Sequence, residues 1–198
     1  MKKLIKIFVN LLTISRIIFS IFLIFNATKL SNITFLMIVA ILFLTDQLDG
    51  FLARKYKVQT LFGAVMDTVA DKILCITLII PLILGNRISL IILIGELAIG
   101  LTNLIAVLNK RKTTVSFIGK VKMWLLSISI IVGYLVSFGY IPKIIFNISC
   151  VITFVIQLYV LIKYILLLKG RERIGNSNIS IEFKLEKLFD TDYYLKNL

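Results

Sequence analysis

Apolar residues in this chain come in long blocks, with the polar residues gathered between them. Six blocks read as membrane-crossing helices, over residues 11–25, 33–48, 61–84, 88–108, 118–138 and 141–168. The short alternating segments of a transmembrane β-barrel do not occur. The pattern predicts an all-α polytopic membrane protein with six transmembrane helices. The opening "MKKLIKIFVNLL" is basic and then apolar, and no small-residue cleavage site follows it. It predicts a retained first span with an N-terminal interfacial helix as its lead-in. One membrane domain over residues 1–170 and a polar cytosolic tail over 171–198 complete the expected organisation. The tail has room for a short amphipathic surface helix.

Composition supports the membrane reading. Of 198 residues, 59% are hydrophobic, too many for a soluble domain to cover with a polar surface. The net charge is +13, but its lysines and arginines cluster between apolar blocks. That placement points to membrane topology and anionic headgroups and away from nucleic acid. Lys2, Lys3 and Lys6 precede the first span. Arg54, Lys55 and Lys57 follow the second, Lys110, Arg111 and Lys112 the fourth, and Lys169, Arg171 and Arg173 the sixth. The alternate loops hold only Lys29, Arg87 and Lys143. Both termini and the loop after the second span are therefore expected in the cytosol of an integral plasma-membrane protein.

The acidic residues are unevenly spread. Up to Gly95 there are only Asp46, Asp49, Asp67 and Asp71, and all four lie around that second loop. Charges at membrane depth are costly and mark function by default. Asp46, Asp49, Gly50 and Ala53 stand at i, i+3, i+4 and i+7, on one helical face; Gly63, Asp67 and Asp71 stand at i, i+4 and i+8, on another. A short loop makes the two helices antiparallel neighbours, so the four carboxylates can converge. Together they repel, and some would have to take up protons unless cations sit among them. The chain has no histidine, and its cysteines, Cys75 and Cys150, lie in apolar blocks without metal-ligand spacing. Oxygen ligands suit hard divalent ions, Mg²⁺ or Mn²⁺. Arg54 offers a fork suited to phosphate. Two ions beside an arginine at a membrane edge point to phosphoryl-type chemistry on a lipid. Two other readings stand beside this one: an acidic ring lining a cation pathway, as in a divalent-cation transporter, and simple pairing of the acids with Arg54, Lys55, Lys57 and Lys72.

These residues resemble the CDP-alcohol phosphatidyltransferases, whose motif is D-x2-D-G-x2-A-R-x8-G-x3-D-x3-D. Asp46, Asp49, Gly50, Ala53, Arg54, Gly63, Asp67 and Asp71 fill every fixed position. The resemblance implies that Asp46, Asp49 and Asp67 bind metal and that Asp71 completes the site. It makes Asp71 the candidate general base on the acceptor hydroxyl. It also implies that Asp49, Gly50, Ala53, Arg54 and Gly63 shape the nucleotide pocket. The donor would be CDP-diacylglycerol, the partner a small alcohol, the products a phosphodiester lipid and CMP, and the assembly a homodimer.

Within the family, "NLLTISRI" (10–17), "FGAVMDTVADK" (62–72) and "SFIGKVKM" (116–123) look like phosphatidylglycerophosphate synthases. That branch implies glycerol 3-phosphate as acceptor, held by Lys120 and Lys122 with help from Arg16. Lys120 and Lys122 also fit ordinary snorkelling, and Arg16 a structural pair with a buried acid. The chain departs from the branch at Gly95, where an arginine precedes the glutamate, and near Thr102 and Asn103, where a second arginine is expected. That leaves inositol, inositol phosphate or serine as other acceptors, and CDP-choline or CDP-ethanolamine as other donors. Glu96 reads as a packing residue paired with Arg16 or a lysine.

Overall fold

A computed structural model describes residues 2–26, 29–56, 58, 60–108 and 117–168. Among them are six helices and no strands: α1 (Lys2–Asn26), α2 (Asn32–Lys55), α3 (Leu61–Gly85), α4 (Ser89–Leu108), α5 (Phe117–Ser137) and α6 (Lys143–Leu168). Five of them are long and apolar enough to cross a membrane, over Lys6–Leu23, Asn32–Ala53, Met66–Gly85, Ile118–Ser137 and Lys143–Leu166. In α4 the corresponding apolar stretch is shorter, Ser89–Ile105. No break separates a lead-in from the first span, because α1 is one helix from Lys2 onward. The predicted tail, 171–198, lies outside the described residues.

Local signals set the helix ends. The Ser31 hydroxyl accepts the backbone N–H of Thr34 at 3.2 Å and so caps α2. The Thr60 hydroxyl does the same for Gly63 at 3.1 Å and starts α3. Helix α5 closes with Gly139 at φ 80°. There the Tyr140 N–H reaches the Leu135 carbonyl at 2.9 Å and the Gly139 N–H reaches Val136 at 3.0 Å. This paired closure needs a left-handed residue, which glycine supplies without strain.

The helices bury polar residues among apolar ones and expose many large apolar side chains. In α1, Thr13, Arg16, Ser20 and Leu23 form the buried stripe, while Ile7, Leu11, Ile14, Ile18 and Phe25 are exposed. In α2, Phe35, Val39, Leu42 and Asp49 are buried, while Ile33, Met37, Ile41, Leu44, Leu48 and Phe51 are exposed. In water this arrangement would be self-defeating, but lipid tails make it favourable. Hydroxyls are satisfied within their own helices, as where Ser20 donates to the Arg16 carbonyl at 2.7 Å and Ser127 to Met123 at 2.9 Å.

The chain divides into two compact units, one up to Leu78 and the next from Ile79. The division falls inside α3, within a turn of Pro81, which has no N–H to offer the Thr77 carbonyl. In the first unit α1 packs on α2; in the second α6 packs on both α4 and α5. The second unit is closely packed at Gly133. A Cβ there would stand 2.8 Å from both Leu82 Cδ1 and Phe146 Cε2. Gly133→Val is therefore expected to destabilise this unit by about 1–3 kcal/mol through overpacking. A lowered thermal midpoint of the detergent-purified protein is the check.

Candidate functional site

Helix α2 continues unbroken through Asp46, Asp49 and Gly50 to Lys55, and α3 begins at Leu61. Both acidic pairs therefore stand on regular helix. The oxygens of Asp46, Asp49 and Asp67 lie within 4.8 Å of one another, so the three could hold one metal ion. Asp71 is outside that trio but reaches the same point from one turn further along α3.

The point itself is occupied by Arg16 of α1, whose side chain is fully buried. Its Nη1 lies 2.6 Å from Asp46 Oδ1, 2.8 Å from Asp71 Oδ1 and 3.3 Å from Asp67 Oδ1. Its Nη2 pairs with Asp49 Oδ2. One guanidinium thus meets all four carboxylates. Thr13, one turn earlier on the same face, donates its hydroxyl to Asp49 Oδ2 at 3.4 Å. Arg16 was expected either near the acceptor or paired with a buried acid, and its contacts are with the acids. Thr13 was not foreseen, although its i−3 spacing from Arg16 places it on the same stripe.

The residues fit a divalent cation. Every donor is an oxygen, as Mg²⁺ and Mn²⁺ require. One of those oxygens, Asp49 Oδ1, is buried with no hydrogen-bond partner among the described residues. Four carboxylates at one point repel one another, which favours a cation among them. At ~4 Å and an effective dielectric of about 20, each like-charged pair costs about 4 kcal/mol.

Gly63 has a packing reason to be glycine. A Cβ there would meet the capping Thr60 Oγ1 at 3.1 Å and Asn10 Oδ1 of α1 at 3.3 Å. Gly50 and Ala53 lie on the helical face with the acids. Arg54 occupies the last turn of α2, and its side chain is outside those described. Lys55 does not neutralise the site: its ammonium lies over the rings of Phe51 and Tyr56, at 5.7 and 5.9 Å.

A separate polar network lies in the second unit. Lys122 Nζ pairs with Glu96 Oε1 at 2.5 Å, and both side chains are buried. Gln157 of α6 donates to the same Glu96 oxygen and to the Ile92 carbonyl, each at 3.2 Å. Glu96 thus takes a lysine as its partner. Lys120, two residues before Lys122, is exposed. Gln157 was missed in the sequence, yet Ser149, Thr153 and Gln157 recur at i, i+4 and i+8 on an apolar helix, which is a legible polar stripe. The glycine at 95 also has an explanation: a Cβ there would land on the Gln157 carboxamide, 2.8 Å from its Cδ. An arginine could not stand at 95 unless Gln157 moved. Thr102 bonds within its own helix, to Ala98 and Ile99 carbonyls.

The fold and the site define a helical membrane protein with a carboxylate cluster that could hold a cation. The sequence pattern of the CDP-alcohol phosphatidyltransferases matches residues 6–159, and the chain belongs to that family of phosphatidyltransferase enzymes. Three bacterial relatives are named CDP-diacylglycerol–glycerol-3-phosphate 3-phosphatidyltransferase. That of Rickettsia felis is 38% identical over 125 residues, covering 59% of this chain and 68% of the relative. That of Aquifex aeolicus is 39% identical over 64 residues, covering 32% and 36%. That of Haemophilus influenzae is 49% identical over 39 residues, covering 20% and 21%. The chain thus spans about a third of the Aquifex protein's length and about two thirds of the Rickettsia protein's.

The Glu96–Lys122 pair yields a direct test. Lys122→Met leaves the Glu96 charge buried without its ammonium, an expected loss of about 3–5 kcal/mol. Pairing it with Glu96→Leu should recover most of that loss. Thermal midpoints of the single and double variants measure both effects.

Proposed function

We propose that the chain transfers a phosphatidyl group from CDP-diacylglycerol to glycerol 3-phosphate, releasing CMP and phosphatidylglycerophosphate. The observation that carries this is the convergence of the four motif aspartates on one cation-sized point. The relatives' names support the donor and the acceptor.

In this reading Asp46, Asp49 and Asp67 hold Mg²⁺ or Mn²⁺, with Asp71 beside them and room in the charge balance for two ions. When bound there, the ion would supply positive charge against the pyrophosphate and the departing CMP oxygen. Arg54 adds a forked contact to the nucleotide's phosphates. Gly50, Ala53 and Gly63 keep the nucleotide pocket free of side chains. Asp71 accepts the proton of the acceptor hydroxyl, whose oxygen attacks the phosphorus that bears diacylglycerol. The new phosphorus–oxygen bond forms as the bond to the CMP oxygen breaks. All six helices cross the plasma membrane, both termini face the cytosol, and the aspartates open to the side where nucleotide and glycerol phosphate are found. The acyl chains of the donor stay in lipid.

The test uses detergent-purified protein with CDP-diacylglycerol labelled in its phosphatidyl group, offered glycerol 3-phosphate, inositol, inositol phosphate and serine in turn. Labelled phosphatidylglycerophosphate and equimolar CMP are expected with the first alone. Another labelled lipid would replace the acceptor. Divalent-cation flux across liposomes without nucleotide binding would replace the enzyme reading with transport. Chelation should abolish CMP release. Asp71→Asn should slow it by about 10²–10⁴-fold, the usual contribution of a general base; an unchanged rate would remove Asp71 from that role.

A further inference from the structure

We infer that Arg16 is a resident counter-cation, seated among the carboxylates when no metal is bound and displaced from them when metal enters. The inference rests on the metal-binding reading above and adds an exchange step to it. Three observations carry it.

The first is position. The Arg16 Nη1 is within 2.6–3.3 Å of oxygens from Asp46, Asp71 and Asp67, and Nη2 pairs with Asp49. An ion drawing oxygens from Asp46, Asp49 and Asp67 needs them at about 2.0–2.1 Å if it is Mg²⁺. The guanidinium fills the space between those oxygens, so ion and guanidinium cannot both occupy it.

The second is incomplete satisfaction. Arg16 Nε and Asp49 Oδ1 are both buried without a hydrogen-bond partner among the described residues, in residues 0% and 1% exposed. A purely structural arginine at such depth would be expected to satisfy its donors, since each orphaned group is costly. An orphaned oxygen and an orphaned donor in one cluster suit a seat designed for another occupant.

The third is charge. Without a cation the four clustered acids would have to take up protons to stay together, and Arg16 supplies positive charge from inside the fold. It is attached through a long stem with several rotatable bonds, so the exchange is a side-chain movement of α1. The apparent metal affinity is then lowered by the fraction of molecules in which Arg16 is seated. The arrangement keeps the site assembled before metal arrives, and it frees a guanidinium beside the bound phosphates afterwards.

The experiment is calorimetric titration of the full-length protein with Mn²⁺ alone, comparing wild type with Arg16→Gln and Arg16→Lys. If Arg16 is seated in nine molecules of ten, Arg16→Gln binds Mn²⁺ about tenfold tighter. Arg16→Lys keeps the charge but lacks the second nitrogen that reaches Asp49, and it should fall between the two. Equal or weaker Mn²⁺ binding by Arg16→Gln overturns the inference. So does Arg16→Lys binding no tighter than wild type, since only a long-range charge effect would remain. Thermal midpoints give a second readout: in chelator the wild type should melt above Arg16→Gln, and saturating Mn²⁺ should close or reverse that gap. A gap that saturating metal leaves unchanged makes Arg16 a structural pair and nothing more. Failure of every protein, wild type included, to bind Mn²⁺ would instead overturn the metal reading itself.

Discussion

Like charges crowded together must take up protons or find a cation. Asp46, Asp49, Asp67 and Asp71 stand on two mostly apolar helices with only Asp49 fully buried, and their mutual repulsion favours a cation among them. Much of the first unit can be understood as a response to that demand. Helix α1 brings Arg16 to the cluster from a stripe that also carries Thr13 and Ser20. Helix α2 continues past the apolar block to present Asp46 and Asp49. The Thr60 cap starts α3 so that Asp67 and Asp71 follow at helical spacing. Gly63 lets Asn10 of α1 approach this start closely.

The second unit solves a similar problem differently. Its buried acid, Glu96, is met by one lysine and one amide, Lys122 and Gln157. That set is balanced in charge and leaves little appetite for a divalent ion. The first unit gathers four acids around the Arg16 guanidinium. This contrast separates a polar network that packs helices from a carboxylate cluster that could hold a metal ion.

Much of this was legible in the sequence because periodicity and charge are local properties. The i+3 and i+4 spacing of the aspartates fixed their shared faces, and the short loop made the faces neighbours. The all-helical architecture followed from block length. Other features depended on contacts between distant segments. Nothing in residues 10–17 says that Arg16 will meet four acids 30 to 55 positions later, so its role stayed divided between acceptor and structural pair. Gly95 read as a lost arginine until Gln157, from another helix, was found over it. The fourth span, 88–108, coincides with α4, Ser89–Leu108.

The central claim is that the carboxylates of α2 and α3 share one cation site. Anomalous diffraction from crystals of the Mn²⁺-loaded protein tests it most directly. A manganese peak within about 2.0–2.3 Å of oxygens from Asp46, Asp49 and Asp67 is the expected result. Fully loaded crystals with manganese bound elsewhere, and those three carboxylates turned away from one another, would contradict it.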